Sequence, residues 1–199
     1  MNFTHWPALC AVDVEGNGAR PPDLVEVATL PIRDGRLDTG RQWLIRPPRP
    51  ITWQATRVHN LTTDDVSQCP PWQDVADEIR TALNDTWICA HHAHVDYRVL
   101  NAHLPDWQPA GVLDTLRLAK HTVPGLNGYS LDALIRHFGL DLTAAPGERH
   151  RAAYDAYAAG QLLLTLAVHY DSWQTLAAAA APSRLPGSPD NDEKEPTLW

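Results

Sequence analysis

The chain has 199 residues, 44% apolar and 20% charged, with a formal net charge of −8. That length and balance predict one globular domain with an ordinary core, and no apolar run of roughly 18 residues is present to cross a membrane as a helix. The acid excess, 24 Asp and Glu against 16 Lys and Arg, argues against a broadly basic surface for nucleic acid. The three cysteines, Cys10, Cys69 and Cys89, cannot pair completely and have no C-x-x-C spacing. They are expected to be reduced thiols in a cytoplasmic protein. The first ten residues lack a basic segment followed by an apolar one, so no secretory signal is expected.

In chain order, residues 8–14 read as a buried strand and 24–30 as a second. Asp34-Gly35 reads as a two-residue hairpin turn, and residues 41–45 as a third strand ended by Pro47-Pro48. Helical spacing of Trp72, Val75, Ala76, Ile79 and Leu83 predicts a helix over 71–84. A short apolar strand follows at 86–90, then a helix over about 94–103, and a fifth strand at 111–114. Ser130 is the expected N-cap of a helix over 131–138 closed by Gly139, and a long Ala/Leu-rich helix spans 150–169. Three antiparallel strands followed by alternating helices and strands predict an α/β fold with a mixed five-stranded sheet flanked by helices. Residues 1–181 form the expected domain. From about residue 182 the composition turns to Pro, Ser and charge, which predicts a disordered acidic tail over 182–199. Its end, Thr197-Leu198-Trp199, is an apolar tip that reads as a frayed terminus or as a dock for a protein partner.

Three separated blocks carry acids beside predicted buried structure. They are Val12-Asp13-Val14-Glu15-Gly16-Asn17-Gly18, Ala90-His91-His92-Ala93-His94-Val95-Asp96 and His150-Arg151-Ala152-Ala153-Tyr154-Asp155-Ala156. A buried carboxylate needs a partner, hydrogen bonds or a metal. Four acids from distant parts of the chain fit hard divalent cations held by oxygen. Asp13 and Glu15 are two apart on a strand and share a face. The glycines Gly16 and Gly18 let backbone approach a ligand. Three of the acids also have a plain reading: a solvated strand-end pair for Asp13 and Glu15, and a helix-dipole partner for Asp96. His150 fits the loop-to-helix junction, looking into the same cleft as Asp155. Oxygen-only ligands favour Mg²⁺ or Mn²⁺. Two such ions would cancel the four acids' charge and leave about −4 elsewhere, so contacts with nucleic acid would be few and local.

Taken together, the blocks resemble the DnaQ-like 3′–5′ exonucleases of the DEDDh group, which have an RNase H-like fold. Asp13-Val14-Glu15 matches that family's D-x-E. The second block matches A-H-N-A-x-F-D with His92 and Val95 substituted. The third matches H-x-A-x-x-D-A. Residues 50–52 and 56–62, with His59, Asn60 and Leu61, resemble the H-G-I segment that contacts the terminal nucleotide, and residues 129–134 resemble the L-x-x-L helix. The resemblance covers about residues 8–170.

It implies a two-ion phosphodiester hydrolysis acting on single-stranded 3′ ends and releasing 5′-nucleotides. Asp13, Glu15, Asp96 and Asp155 would be the metal ligands and His150 the general base. Asp13 would bridge the ions, with Glu15 and Asp155 on the nucleophile's side. Gly16, Asn17, Gly18, His59, Asn60, Leu61, His92 and Val95 would contact substrate, Leu61 and Val95 by packing on the terminal base or sugar. Proofreading or repair-type trimming of DNA is the expected role. RNA 3′-end trimming or oligoribonuclease action, a non-catalytic module that docks a polymerase, and a small-molecule phosphatase are the alternatives.

Overall fold

The computed structural model describes residues 3–188. The chain opens with β1 (Leu9–Gly16) and β2 (Leu24–Arg33), paired antiparallel so that Leu9 faces Ile32 and Glu15 faces Glu26. Asp34 and Gly35 both have positive φ, 48° and 74°, as a two-residue turn matched to strand twist requires. The expected third strand appears as β4 (Arg41–Leu44), preceded by an unexpected short strand β3 (Arg36–Leu37), and both pair with β2. Between them, Gly40 lies so close to β2 that a Cβ there would stand 2.5 Å from Thr29 O. The sheet therefore has six strands and not five. Its order is β3-β2-β1-β5-β6, with β4 on β2 beyond β3. The parallel members are β5 (Trp87–Ala90) and β6 (Gly111–Asp114).

Helices cover both faces. The expected helices appear as α2 (Trp72–Leu83), α3 (His94–His103), α5 (Leu131–Phe138) and α6 (Ala152–Ala167), with α1 (Trp53–His59), α4 (Thr115–Thr122) and α7 (Trp173–Ala180) in addition. One core layer joins Leu9, Ala11, Leu30 and Leu113 to α4, α5, α6 and α7. The other joins Val12, Val27, Ile88 and Val112 to Val75, Ile79 and Leu83 of α2 and Leu100 of α3. Leu162, Leu163 and Leu166 of α6 are fully buried, each contributing roughly 1.5–3 kcal/mol. The alanines of α6 let it press onto β1: a Cβ on Gly160 would stand 3.2 Å from Ala11 Cβ and 2.7 Å from Leu37 Cδ2. This close approach brings the first turn of α6 to the far end of β1.

The packed body extends beyond residue 181. Leu185 packs against the second core layer, and Val112 N–H of β6 donates to Pro186 O at 2.9 Å. Ser188 is buried. The rest of the expected tail, with its Trp199 tip, lies outside the described residues. No helix among the described residues is long and apolar enough to cross a membrane. Cys10 and Cys89 are buried, Cys69 is half-buried, and all three are free. Burial pushes the Cys10 thiol up to about 12 and raises that of Cys89 well above its ordinary value, so both thiols stay protonated and inert.

Candidate nuclease site

The cleft begins where two strands part. β1 and β5 pair only from Leu9↔Trp87 to Ala11↔Cys89. After Ala90 the chain turns away into α3, while β1 runs on to Gly16. On the freed side Val14 N–H has lost a ladder partner, and it donates instead to Asp96 Oδ1 at 3.2 Å. Asp96 is thereby fixed beside Asp13 and Glu15, from the first turn of α3. The plain reading of Asp96 is met, since it sits at a helix N-terminus, and it also satisfies a backbone donor.

Asp155 enters from the first turn of α6. His150 precedes that helix with φ 64°, and its Nδ1 stands 3.9 Å from Asp155 Oδ2. His150 is the more exposed of the two, 44% against 18% for the side chains, so it can meet solvent from the rim.

The four acids act on one another. Burial, then the charges of Asp96, Glu15 and Asp155, raise the Asp13 carboxyl well above the usual range. Burial, then Asp155 and Glu26, push Glu15 up to about 8 against a partial offset from Arg151. Burial pushes Asp96 up to about 7, opposed by the backbone hydrogen bonds it accepts and reinforced by Asp114. Burial raises Asp155 too, with His150 opposing. Four carboxyls that resist ionisation together mark an excess of negative charge that bound cations would offset. The four carboxyls lie close enough to raise one another's pKa, and Glu15 among them lines the open cleft. Among the described residues no three His, Cys, Asp or Glu side chains are gathered closely enough to hold a metal ion as they stand. The donor chemistry nevertheless fits hard cations: oxygen ligands throughout, with the one imidazole set to the side.

Two residues that sequence reasoning passed over complete the site. Glu26 is fully buried in β2 opposite Glu15. It accepts from Arg151 Nε at 3.0 Å and Nη2 at 2.7 Å, from Ala152 N–H at 3.2 Å, and from Gln42 Nε2. A forked, charge-assisted pair of this kind is strong and directional. It ties the sheet to the start of α6, through Arg151 next to His150 and Ala152, the helix's first residue. The signal was an acid between Val25 and Val27 in a strand whose alternation is only partial.

The expected substrate contacts divide. Gly16, Gly18 and Val95 line an open cleft with Glu15, Ala55 and Val58. Gly18 has φ 81°, and a Cβ there would stand 2.2 Å from Thr52 Oγ1. Asn60 caps α1 with φ 60°, and its N–H donates to Thr56 O. His92 has φ 71°, and its N–H donates to Asp114 Oδ1 at 3.0 Å. Asn and His tolerate that left-handed backbone better than most residues, and both side chains are exposed.

Two expectations, Asn17 and Leu61, are corrected, while His59 lines the open cleft with its ring nitrogens already engaged. Asn17 is fully buried, and its amide makes four hydrogen bonds, to Asp23 Oδ2, Arg49 O, Ala19 N and Asp23 N. That is the group's whole capacity, so its role is to fold the 17–23 loop. Leu61 is buried against Val25 and Val66 and is not free to pack on a base. His59 is buried, with Nδ1 accepting from Leu61 N–H and Nε2 facing Gly16 O at 3.2 Å. Burial lowers its pKa, and this neutral ring fastens α1 to the end of β1.

A mixed sheet whose parted strand ends hold a carboxylate cleft defines an RNase H-like hydrolase. The exonuclease family profile matches residues 10–163. Exodeoxyribonuclease 10 of Escherichia coli (strain K12) is 34% identical over 159 residues, covering 79% of this chain and 68% of that protein. The PolC-type DNA polymerase III of Oceanobacillus iheyensis is 30% identical over 159 residues, but the match spans only 11% of the polymerase. Among solved structures, exonuclease X in complex with 5′-overhanging duplex DNA superposes with a TM-score of 0.71 at 32% identity, covering 82% of this chain and 93% of that one. E. coli exonuclease I in complex with a dA16 oligonucleotide shares the fold, with a TM-score of 0.69 at 15% identity over 82% of this chain and 41% of that one. The chain belongs to the exonuclease family, in its DnaQ-like group within the RNase H-like superfamily, and is a nuclease that acts on nucleic acid.

Proposed function

We propose that the protein is a divalent-metal-dependent 3′–5′ exonuclease that removes 5′-nucleotides from DNA, in the manner of repair or proofreading trimming. The observation that carries this reading is that Asp96, Glu15 and Asp155 stand near enough to Asp13 to raise its pKa, with His150 Nδ1 3.9 Å from Asp155 Oδ2. DNA is favoured over RNA because the relative at 34% identity is named an exodeoxyribonuclease. Three unpaired thiols fit a reducing cytoplasm.

The four carboxylates would hold two Mg²⁺ or Mn²⁺ ions. When bound, the cations supply positive charge to the scissile phosphate and to the attacking and leaving oxygens. His150, on the exposed rim, takes a proton from the attacking water as its oxygen bonds to phosphorus. The bond from phosphorus to the 3′ oxygen breaks, leaving a 5′-nucleotide and a strand one residue shorter. Val95, Gly16 and Gly18 form the wall against which the terminal nucleotide rests, and the Glu26–Arg151 pair holds the helix start that carries His150 and Asp155.

The test is degradation of single-stranded DNA and RNA labelled at the 3′ or the 5′ end, with Mg²⁺, Mn²⁺ or EDTA. Immediate release of the 3′ label as a mononucleotide, only with metal and faster from DNA, is the expected result. Loss of the 5′ label first would overturn the polarity. Faster loss from RNA would assign the enzyme to RNA trimming. No cleavage under any condition, with retained binding, would leave a non-catalytic module.

A further inference from the structure

Four large apolar side chains stand well exposed among the described residues: Trp53 at 64%, Val168 at 62%, Val58 at 55% and Val95 at 36%. Three of them are neighbours of the carboxylate cleft. Val58 and Val95 line it beside Glu15 and Gly16. Val58 also lines a shallow hollow shared with Trp53, Gln54 and Arg57, so cleft and hollow meet at one residue of α1. Trp53 and Arg57 are one helical turn apart and share a face, and the Arg57 guanidinium lies over the indole, 5.5 Å from the ring centroid. Arg57 makes no ion pair among the described residues.

This face is rigidly held. Thr52 caps the helix by accepting from Ala55 N–H at 3.3 Å, and its own N–H donates to Asn17 O at 2.9 Å. At the other end His59 is fastened to Gly16. An indole fixed beside a nuclease cleft loses little freedom on contact, having only two side-chain torsions.

We infer that Trp53 and Arg57 form a second nucleotide subsite, in which the indole stacks on an unpaired base upstream of the terminal residue and the guanidinium meets that strand's phosphate. The inference rests on the nuclease reading above. The charge balance favours this occupant. A chain of net charge −8 repels a polyanion at long range, so it must hold the strand by contacts that do not depend on net charge. Base–aromatic stacking is such a contact and is indifferent to sequence. The unpaired Arg57 supplies a cation where a phosphate would pass.

The test compares Trp53→Ala, Trp53→Phe and Arg57→Ala with the wild type on two substrates. One is the p-nitrophenyl ester of thymidine 5′-monophosphate, whose single nucleotide reaches only the carboxylate cleft. The other is a single-stranded oligodeoxynucleotide labelled at its 3′ end. For the oligonucleotide, Trp53→Ala should raise KM by roughly 5- to 100-fold with kcat nearly unchanged, and Trp53→Phe should restore most of the loss. Hydrolysis of the ester should be unaltered in all three variants. Arg57→Ala should make oligonucleotide KM less sensitive to salt. An unchanged oligonucleotide KM in Trp53→Ala would overturn the subsite, as would an equal loss on both substrates. So would a normal KM in a variant whose self-association, by sedimentation, has been abolished, since the face would then serve a second copy. If the wild type cleaves neither substrate, the nuclease reading fails separately. Fluorescence anisotropy of a labelled oligonucleotide would then still decide whether Trp53 holds a strand.

Discussion

Glu26 and Arg151 show how a single buried pair can order an acidic site. Glu26 is fully enclosed and Arg151 one-quarter exposed, so removing the cation leaves a carboxylate with no comparable partner. Arg151→Ala is expected to destabilise the fold by roughly 3–5 kcal/mol, read as a lowered urea midpoint. His150 lies next to Arg151 but bears no such duty, since its ring stands on the rim. His150→Ala should therefore melt like the wild type while kcat falls by roughly 10²–10⁴-fold. Normal turnover in a stable His150→Ala protein would remove the histidine from the proton transfer. A lowered melting temperature with a proportionate loss of activity would make it structural.

The elements differ in how plainly the chain announces them. The helices α2, α3, α5 and α6 were readable because their apolar spacing runs over eight or more residues, and α5 carries both its Ser130 cap and its Gly139 stop. α4 was hidden because Asp114 ends β6 and caps the helix at once, accepting from Leu116 and Arg117 N–H, so no loop separates the two. α1 has seven residues, too few for a period to show. α7 follows a Ser172–Thr175 capping box in which Thr stands where Glu or Gln is the usual signal.

The acids of the cleft were legible from their order along the chain, and His150 from its offset before Asp155. The substrate wall was less so. Asn17, His59 and Leu61 occupy motif positions, yet their side chains turn inward, and burial is set by tertiary neighbours that a motif does not record. Gly160 in α6 belongs to no motif, though it lets the helix press onto β1. Gly160→Val would drive a side chain into Leu37 and Ala11. The expected result is a loss of roughly 1–3 kcal/mol together with a lower kcat, because α6 carries Asp155. Thermal melts and turnover measured on the same preparation check both.

At the scale of the molecule, the clustered acids link stability to pH. The Glu15 carboxyl is pushed up to about 8 from an ordinary 4.5. A raised acid favours the folded state below its unfolded pKa, and that contribution is lost as pH rises through the folded value. In EDTA the melting temperature should therefore fall between about pH 4.5 and 8. Millimolar Mg²⁺ or Mn²⁺ should remove much of that fall, since a ligand of the folded state stabilises it by mass action. Asp13→Asn should melt at or above the wild-type temperature in EDTA at pH 8, respond less to Mg²⁺, and lack hydrolysis. A wild-type melting curve indifferent to both pH and cation would deny the cluster its electrostatic strain.

The segment 182–188 runs along β6 at the end where Trp87 faces Gly111, and Gly187 lies against both: a Cβ there would meet Trp87 at 2.4 Å and Gly111 Cα at 2.9 Å. The carboxylates stand at the opposite end of the parallel strands, past Ala90 and Asp114. A consequence follows from that placement. The segment shields a strand border that could otherwise recruit a foreign strand, so cutting the chain at residue 181 should yield a protein that self-associates on size-exclusion chromatography.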